Sequence, residues 1–187
     1  MKTLLLPVLF LLALASVLSA QTCREVVRDA SGRIVQTIER QKQAGGTERA
    51  VTRDASGRIT GTATTRPNAG GSARTDYRDA SGRITGTAST RPTTGNSSHT
   101  TYRDASGRIQ GSGDTRTQGG SGNGSSTQYR DASGRITGSS ATSVSPSGSH
   151  TGTQRDASGR IVGTSSGNGK CQKPGPVPLP PPTVAKK

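Results

Sequence analysis

The sequence predicts an all-β repeat array of short hairpins, joined by long flexible loops rich in Gly, Ser and Thr, with substantial disorder and no large globular core. The heptapeptide RDASGRI occurs six times, at 28–34, 53–59, 78–84, 103–109, 130–136 and 155–161. Its copies begin about 25 residues apart, a spacing typical of repeat arrays. Beyond residue 20 only sixteen residues are Ile, Leu, Val, Phe or Met, a composition typical of disordered, low-complexity chains.

Residues 1–20 have the layout of a secretory signal peptide. Lys2 precedes an apolar run from Leu4 to Leu14, and small residues end the segment at Ala20. An uncleaved membrane anchor is the alternative, but the run is short and contains Pro7, whereas a spanning helix needs about 20 apolar residues. We therefore expect a cleaved signal and a secreted or periplasmic protein.

Two cysteines flank the repeat region, which covers 28–166. Cys23 lies in a short lead, 21–27, and Cys171 lies in a basic tail, 167–187. In an oxidising compartment one disulfide between Cys23 and Cys171 is the simplest expectation, with free or intermolecular thiols as the alternative. The tail is rich in proline and favours polyproline II, so it either docks into a partner's groove, acts as a stiff spacer or stays solvated.

The motif itself predicts a tight hairpin turn. DASG places Asp first and Gly fourth in a type I turn, and a left-handed Gly completes a three-residue hairpin loop with a bulge. In that register Asp79 lies opposite Arg83, and Arg78 lies opposite Ile84. The turn-forming residues are Asp29, Gly32, Asp54, Gly57, Asp79, Gly82, Asp104, Gly107, Asp131, Gly134, Asp156 and Gly159.

The segment after each turn alternates with the period of a strand. Ile84, Gly86 and Ala88 share one face, which we expect to stack on a neighbouring unit, and threonines fill the other. The remaining spacers, above all the glycine-rich 110–129, are interpreted as loops.

Basic residues dominate the charge. The net charge is +14, and attraction to polyanions is expected to weaken with salt. For an exported protein the expected partners are acidic polysaccharide, anionic envelope lipid or extracellular DNA; alternatively, the charge only keeps the chain soluble. The candidate polyanion-binding residues are Arg28, Arg33, Arg53, Arg58, Arg78, Arg83, Arg103, Arg108, Arg130, Arg135, Arg155 and Arg160.

Catalytic and cofactor chemistry is not indicated. SGNGK at 166–170 lacks the earlier glycine and the Ser or Thr of a phosphate-binding loop. His99 and His150 stand singly, without metal-ligand spacing. We therefore predict no enzymatic activity, no cofactor and no metal site.

The motif also resembles a known repeat. Asp-x-x-Gly-Arg-Ile, preceded in three copies by Tyr77, Tyr102 or Tyr129, is similar to the YD repeats of Rhs-type bacterial surface proteins, which carry Tyr-Asp-x-x-Gly-Arg-Leu in β-hairpins. Arginine stands here where that family has the tyrosine before Asp, and no cargo domain is expected. The resemblance implies hairpin repeats at a cell surface.

The leading functional hypothesis is multivalent, weak binding of anionic surface polymers by a non-enzymatic repeat protein, through the motif arginines. The alternative is a purely structural spacer or coat protein without a specific ligand. A third idea, that threonine rows bind ice, is weakened by Gln110 and Asp114 in a later unit.

Overall fold

The computed structural model describes residues 22–118 and 123–168, which form a closed antiparallel β-barrel. Each strand pairs with its neighbours in sequence, and β1 pairs with β12 to close the barrel. None of the described residues belongs to a helix that is long and apolar enough to cross a membrane. The strands are β1 Thr22–Asp29, β2 Ile34–Lys42, β3 Glu48–Asp54, β4 Ile59–Pro67, β5 Ala73–Asp79, β6 Ile84–Pro92, β7 Ser97–Asp104, β8 Ile109–Gln118, β9 Asn123–Asp131, β10 Ile136–Val144, β11 His150–Asp156 and β12 Ile161–Asn168.

The predicted disordered, low-complexity array without a globular core is wrong. The spacers interpreted as loops are strands, including most of the glycine-rich 110–129, which supplies β8 and β9. Closure explains the difference, because all twelve described strands are hydrogen-bonded on both sides and none of them presents a free edge. A count of large apolar residues does not reveal this complete backbone pairing, and it therefore led to the prediction of disorder.

Small side chains fill the barrel interior. Ala50, Ala63 and Ala88 are buried there, together with Thr75 and Thr100. Threonine hydroxyls on neighbouring strands hydrogen-bond to one another, as Thr90 and Thr100 do at 2.9 Å. Ala, Gly and Thr therefore make up much of the interior, beside the larger buried side chains of Val27, Ile38 and Tyr102. The sheet wraps around them, and paired threonine hydroxyls satisfy each other.

The expectation that Ile84 shares a face with Gly86 and Ala88 is also wrong. Arg78 pairs with Ile84 whereas Tyr77 pairs with Gly86, so a β-bulge lies between them. The extra residue moves Ile84 to the outer surface, where it is 46% exposed, while Gly86 and Ala88 are buried.

The register advances by two residues from each hairpin to the next. Ala50, four residues before Asp54, pairs with Ala63, and Ala63 pairs with Tyr77, two residues before Asp79. Tyr77 pairs with Gly86, which in turn pairs with Asp104. The seam between β12 and β1 continues the same pattern, so the six hairpins occupy equivalent positions around the barrel.

The ends of the chain fall largely outside the described residues. The predicted signal peptide, Cys171 and the proline-rich tail all lie there. Cys23 is described: it is buried near the start of β1, and its sulfur is disulfide-bonded.

Candidate functional site: the arginine-rich end of the barrel

All six motif turns lie at the same end of the barrel, which we call the motif end. Each turn joins an odd-numbered strand to the following even-numbered strand, and in an up-and-down barrel such connections meet at one end. The closed fold therefore gathers six identical loops into a ring. The turns are 29–33, 54–58, 79–83, 104–108, 131–135 and 156–160.

Each turn is organised by its aspartate. In the third copy the Gly82 amide donates to the Asp79 carbonyl at 3.1 Å, and the Asp79 amide donates to the Arg83 carbonyl at 3.0 Å. The Asp79 carboxylate accepts from the Ser81 amide at 2.9 Å, the Ser81 hydroxyl at 2.7 Å and the Arg83 amide at 3.0 Å. Gly82 has a φ of +84°, which glycine adopts without strain.

These contacts favour the ionised carboxylate. The hydroxyl of Ser81 and the backbone amide of Arg83 hold the pKa of Asp79 below its usual range, against a smaller opposing effect of desolvation. The other five motif aspartates also have lowered pKa values. The aspartates are thus turn-forming groups, and their carboxylates are occupied within the loop.

The first arginine of every motif braces its own turn. Arg78 donates from Nη1 to the carbonyl oxygen of Gly82 at 2.7 Å, and the equivalent bonds in the other five copies are 2.8–3.0 Å long. We call these residues the brace arginines. They are Arg28, Arg53, Arg78, Arg103, Arg130 and Arg155.

The second arginine of every motif extends into solvent, and we call these six the rim arginines. Arg58 reaches the Asp54 carboxylate at 3.2 Å, but the guanidinium groups of the other five make no hydrogen bond or ion pair with any described residue. The twelve motif arginines face only six motif aspartates, so the ring carries a positive excess. The rim arginines are Arg33, Arg58, Arg83, Arg108, Arg135 and Arg160.

A second set of arginines lies on the outer wall toward the opposite end of the barrel. Arg66 and Arg74 share Asp76, at 2.7 and 3.1 Å. Desolvation raises the pKa of Asp76, but the two guanidinium groups outweigh it and leave that pKa lowered. The set is confined to strands between β1 and β8, unlike the motif ring. We call its members the opposite-end arginines: Arg24, Arg49, Arg66, Arg74, Arg91 and Arg116.

The interior holds an ion cluster that was not predicted from the sequence. Arg40 is buried, and its Nη2 lies 2.9 Å from Glu25 while its Nη1 lies 3.5 Å from Glu48. Burial raises the pKa of Glu25, but the charge and hydrogen bond of Arg40 outweigh it and leave that pKa lowered. The sequence pattern that could have indicated the burial of Glu25 is the alternation of Cys23, Glu25 and Val27 along β1, because these residues share the inward face.

The tyrosines that precede three motifs also lie inside the barrel. Burial raises the pKa values of Tyr77, Tyr102 and Tyr129. Tyr129 contacts the Ser140 hydroxyl at 3.1 Å, whereas the hydroxyls of Tyr77 and Tyr102 have no hydrogen-bond partner among the described residues. They fill the space that the small residues leave, and they do not cover the turns.

The two histidines lie in different chemical settings. His99 is on the outer wall, with Nδ1 2.6 Å from Asp114, and His150 is buried in the barrel. Among residues 22–118 and 123–168, no group of three or more His, Cys, Asp or Glu side chains could hold a metal ion. The structure therefore brings together the motif arginines and aspartates, and leaves the histidines separate.

No protein-family model matches the chain, and a search of curated proteins finds no match. The resemblance to YD repeats stays a prediction.

Proposed function

We propose that this chain is an exported, non-enzymatic protein that binds anionic surface polymers weakly and multivalently through the arginines of the motif end. One observation carries the proposal: the closed barrel places all six motif turns in a ring at one end. The cleaved signal peptide predicted from residues 1–20 supports an extracytoplasmic location, where such polymers are present.

The ring differs from the largely disordered hairpin array expected from the sequence. Six arginines on a disordered chain would each lose conformational freedom on binding, whereas turns fixed on a barrel are already arranged. Each contact can be weak, because several engaged sites on one rigid body give an avidity well above any single affinity.

The two arginine classes are expected to contribute differently. Each brace arginine donates a hydrogen bond from one guanidinium nitrogen to a glycine carbonyl, so it stabilises the turn. Its charge also adds to the positive field of the ring. The rim arginines are exposed, and a guanidinium matches the geometry of carboxylate, sulfate or phosphate. We therefore assign the direct contacts mainly to the rim arginines.

The test compares two variants that remove the same charge. In one, the six rim arginines are replaced by glutamine; in the other, the six opposite-end arginines are replaced by glutamine. Binding of a labelled polyuronate and of a DNA duplex of about 20 base pairs is measured by fluorescence anisotropy over a range of salt concentrations. Circular dichroism verifies that both variants keep the fold.

We expect the rim variant to bind at least about tenfold more weakly, with a shallower dependence on salt, because fewer counterions are released. The opposite-end variant should lose much less affinity. Equal losses in both variants would show that net charge alone attracts the polymer and would overturn the assignment to the rim. Unchanged binding in the rim variant would reject the proposal and favour the structural spacer or coat protein.

A further inference from the structure

We propose that the motif end docks on an anionic lipid bilayer at one side of the barrel, where an apolar patch lies among motif arginines at the β12–β1–β2 seam. This inference deepens the proposed function and rests on it, because it names the anionic partner of the same arginines. The patch, which we call the seam patch, consists of Ile34, Val35, Ile161 and Val162.

Every hairpin contributes one isoleucine to the outer surface. The β-bulge beside each turn places that isoleucine directly opposite the brace arginine, as in the pairs Arg28–Ile34 and Arg155–Ile161. The six isoleucines are 42–48% exposed, although residues of this type are usually buried. Arginine and isoleucine thus alternate around the barrel just behind the turns.

The seam concentrates this apolar surface on one side. In four units the residue after the isoleucine is polar: Thr60, Thr85, Gln110 and Thr137. On β2 and β12, the two strands that flank β1, this residue is valine instead. Val35 and Val162 are 44% and 42% exposed. Strands β2 and β12 are separated only by β1, a distance of about 10 Å, so the four apolar residues lie on the same side of the barrel.

Cations surround the seam patch. Arg28 and Arg155 pair with its isoleucines, and rim arginines Arg33 and Arg160 immediately precede them in the chain. The two motif aspartates of these turns, Asp29 and Asp156, are outnumbered by the four arginines, so a positive excess remains. The surface therefore combines exposed branched aliphatic side chains with an excess of guanidinium groups.

That combination matches the chemistry of an anionic bilayer. Lipid phosphates are complementary to the guanidinium groups, and the boundary between headgroups and acyl chains accepts apolar side chains to a depth of about 5–10 Å. A hydrated polysaccharide or a nucleic-acid backbone would gain little from the isoleucines and valines. Contact along the seam side explains both parts of the surface with one partner.

The first experiment uses substitutions that the chain already makes itself. Val35→Thr with Val162→Thr copies the residue found at this position in units with Thr60, Thr85 and Thr137, so the fold should persist. A stronger variant adds Ile34→Thr and Ile161→Thr. The matched control makes four changes away from the seam: Ile59→Thr, Ile84→Thr, Ile109→Thr and Ile136→Thr.

Binding is measured by co-sedimentation with vesicles of phosphatidylcholine alone or mixed with phosphatidylglycerol. The purified protein is verified by mass spectrometry to begin at Gln21, because an attached apolar segment would itself bind lipid. We expect binding only to the mixed vesicles, a loss of about tenfold in the four-site seam variant, and little change in the control. Binding to the soluble polyuronate and DNA should be unchanged in both.

A second experiment locates the contact without removing any apolar surface. The chain has no tryptophan, so Ile161→Trp on β12 and Ile84→Trp on β6, across the barrel, provide two single reporters at equivalent motif positions. Anionic vesicles should shift the emission of the Ile161→Trp variant to the blue, and brominated lipid should quench it. The emission of the Ile84→Trp variant should change little.

The outcomes separate this inference from the proposed function. Equal vesicle binding by seam and control variants, or equal quenching of both reporters, would overturn the lipid inference while leaving polyanion binding intact. Loss of a dimer in the seam variant, seen by light scattering, would assign the patch to a second copy of the chain and also overturn it. Failure of the proposed function would instead appear as undiminished binding of soluble polyanion by the rim variant.

Discussion

The carbonyl oxygen of Arg103 lies 2.6 Å from the point where a Cβ atom on Gly86 would stand. Gly61 has the same relationship to Arg78, at 2.6 Å, and Gly163 to Arg28, at 2.8 Å. These glycines follow the motif isoleucine by two residues, and each lets the next hairpin approach closely. In the first unit Gln36 occupies the equivalent position.

Replacement of Gly86 by alanine should destabilise the barrel by about 1–3 kcal/mol, because the added methyl group meets the backbone carbonyl of Arg103, which must shift to admit it. The control is Thr87→Ala, one residue further along the same strand on the outer wall, where a change within about 0.5 kcal/mol is expected. Urea unfolding followed by circular dichroism measures both. Equal stability of the two variants would contradict the role assigned to the close approach.

Gly82 tests the turn conformation separately from packing. Its φ is +84°, and an added Cβ would meet nothing within 4 Å, so backbone strain alone decides the effect. Gly82→Ala should cost about 1 kcal/mol, and Gly82→Asn should cost less because asparagine adopts this conformation more readily. Thermal unfolding of the two variants compares their stabilities. An asparagine variant less stable than the alanine variant would contradict the assigned role of the backbone conformation.

The buried ion cluster should behave as a coupled unit. Arg40→Met leaves the Glu25 carboxylate without its ion-pair partner in a setting where only 14% of its side chain is exposed. We expect a loss of about 3–5 kcal/mol, and recovery of much of it when Glu25→Gln is added. Urea unfolding of the single and double variants closes the thermodynamic cycle. Additive losses would show that the two side chains are not coupled.

Acid should weaken the motif end. The pKa of Asp79 in the folded protein lies below its ordinary value of 3.8, so folding favours the ionised form and unfolding takes up a proton at low pH. This contribution is fully present above pH 3.8 and is lost as the pH falls through the lowered pKa. The Asp79→Asn variant should be less stable than the unmodified protein at neutral pH, with the difference shrinking under acid conditions.

Thermal unfolding from neutral pH to strong acid measures that difference directly. Among the residues that the structure describes, the carboxylate of Asp79 accepts hydrogen bonds only from its own turn, so replacing it with an amide should leave contacts elsewhere unchanged. A difference in unfolding temperature between the two proteins that stays constant into strong acid would show that the charge of the carboxylate does not contribute to stability.

The local structure could be predicted because the causes are local. The positive φ of Gly82 and the pairing of Arg78 with Ile84 both follow from one short motif. The closed barrel could not be predicted in this way. It depends on pairing between hairpins and between Arg28 and Thr164 at opposite ends of the chain, and neither pairing has a signature in composition.

The division of the motif arginines into brace and rim residues could not be predicted from the sequence either. Arg78 and Arg83 both adjoin the same turn and both are exposed, and the bond from Arg78 to the Gly82 carbonyl is what distinguishes the brace arginine from the rim arginine. The scarcity of large apolar residues was misleading for a physical reason. Disorder follows when a chain cannot bury enough surface, but Ala88 and Thr100, each 1% exposed, show that wrapping buries small side chains completely.

The uniform register step between hairpins has a consequence for the size of the protein. The step is one residue per strand, the same ratio that gives a tilt of roughly 36° in eight-stranded barrels, and this ratio does not depend on how many hairpins are present. Insertion or deletion of a whole repeat unit of about 25 residues would therefore alter the barrel's girth and leave each unit's internal geometry unchanged. Tandem duplication of this segment would add motif turns to the ring, so the number of repeat units sets both the barrel diameter and the number of binding turns.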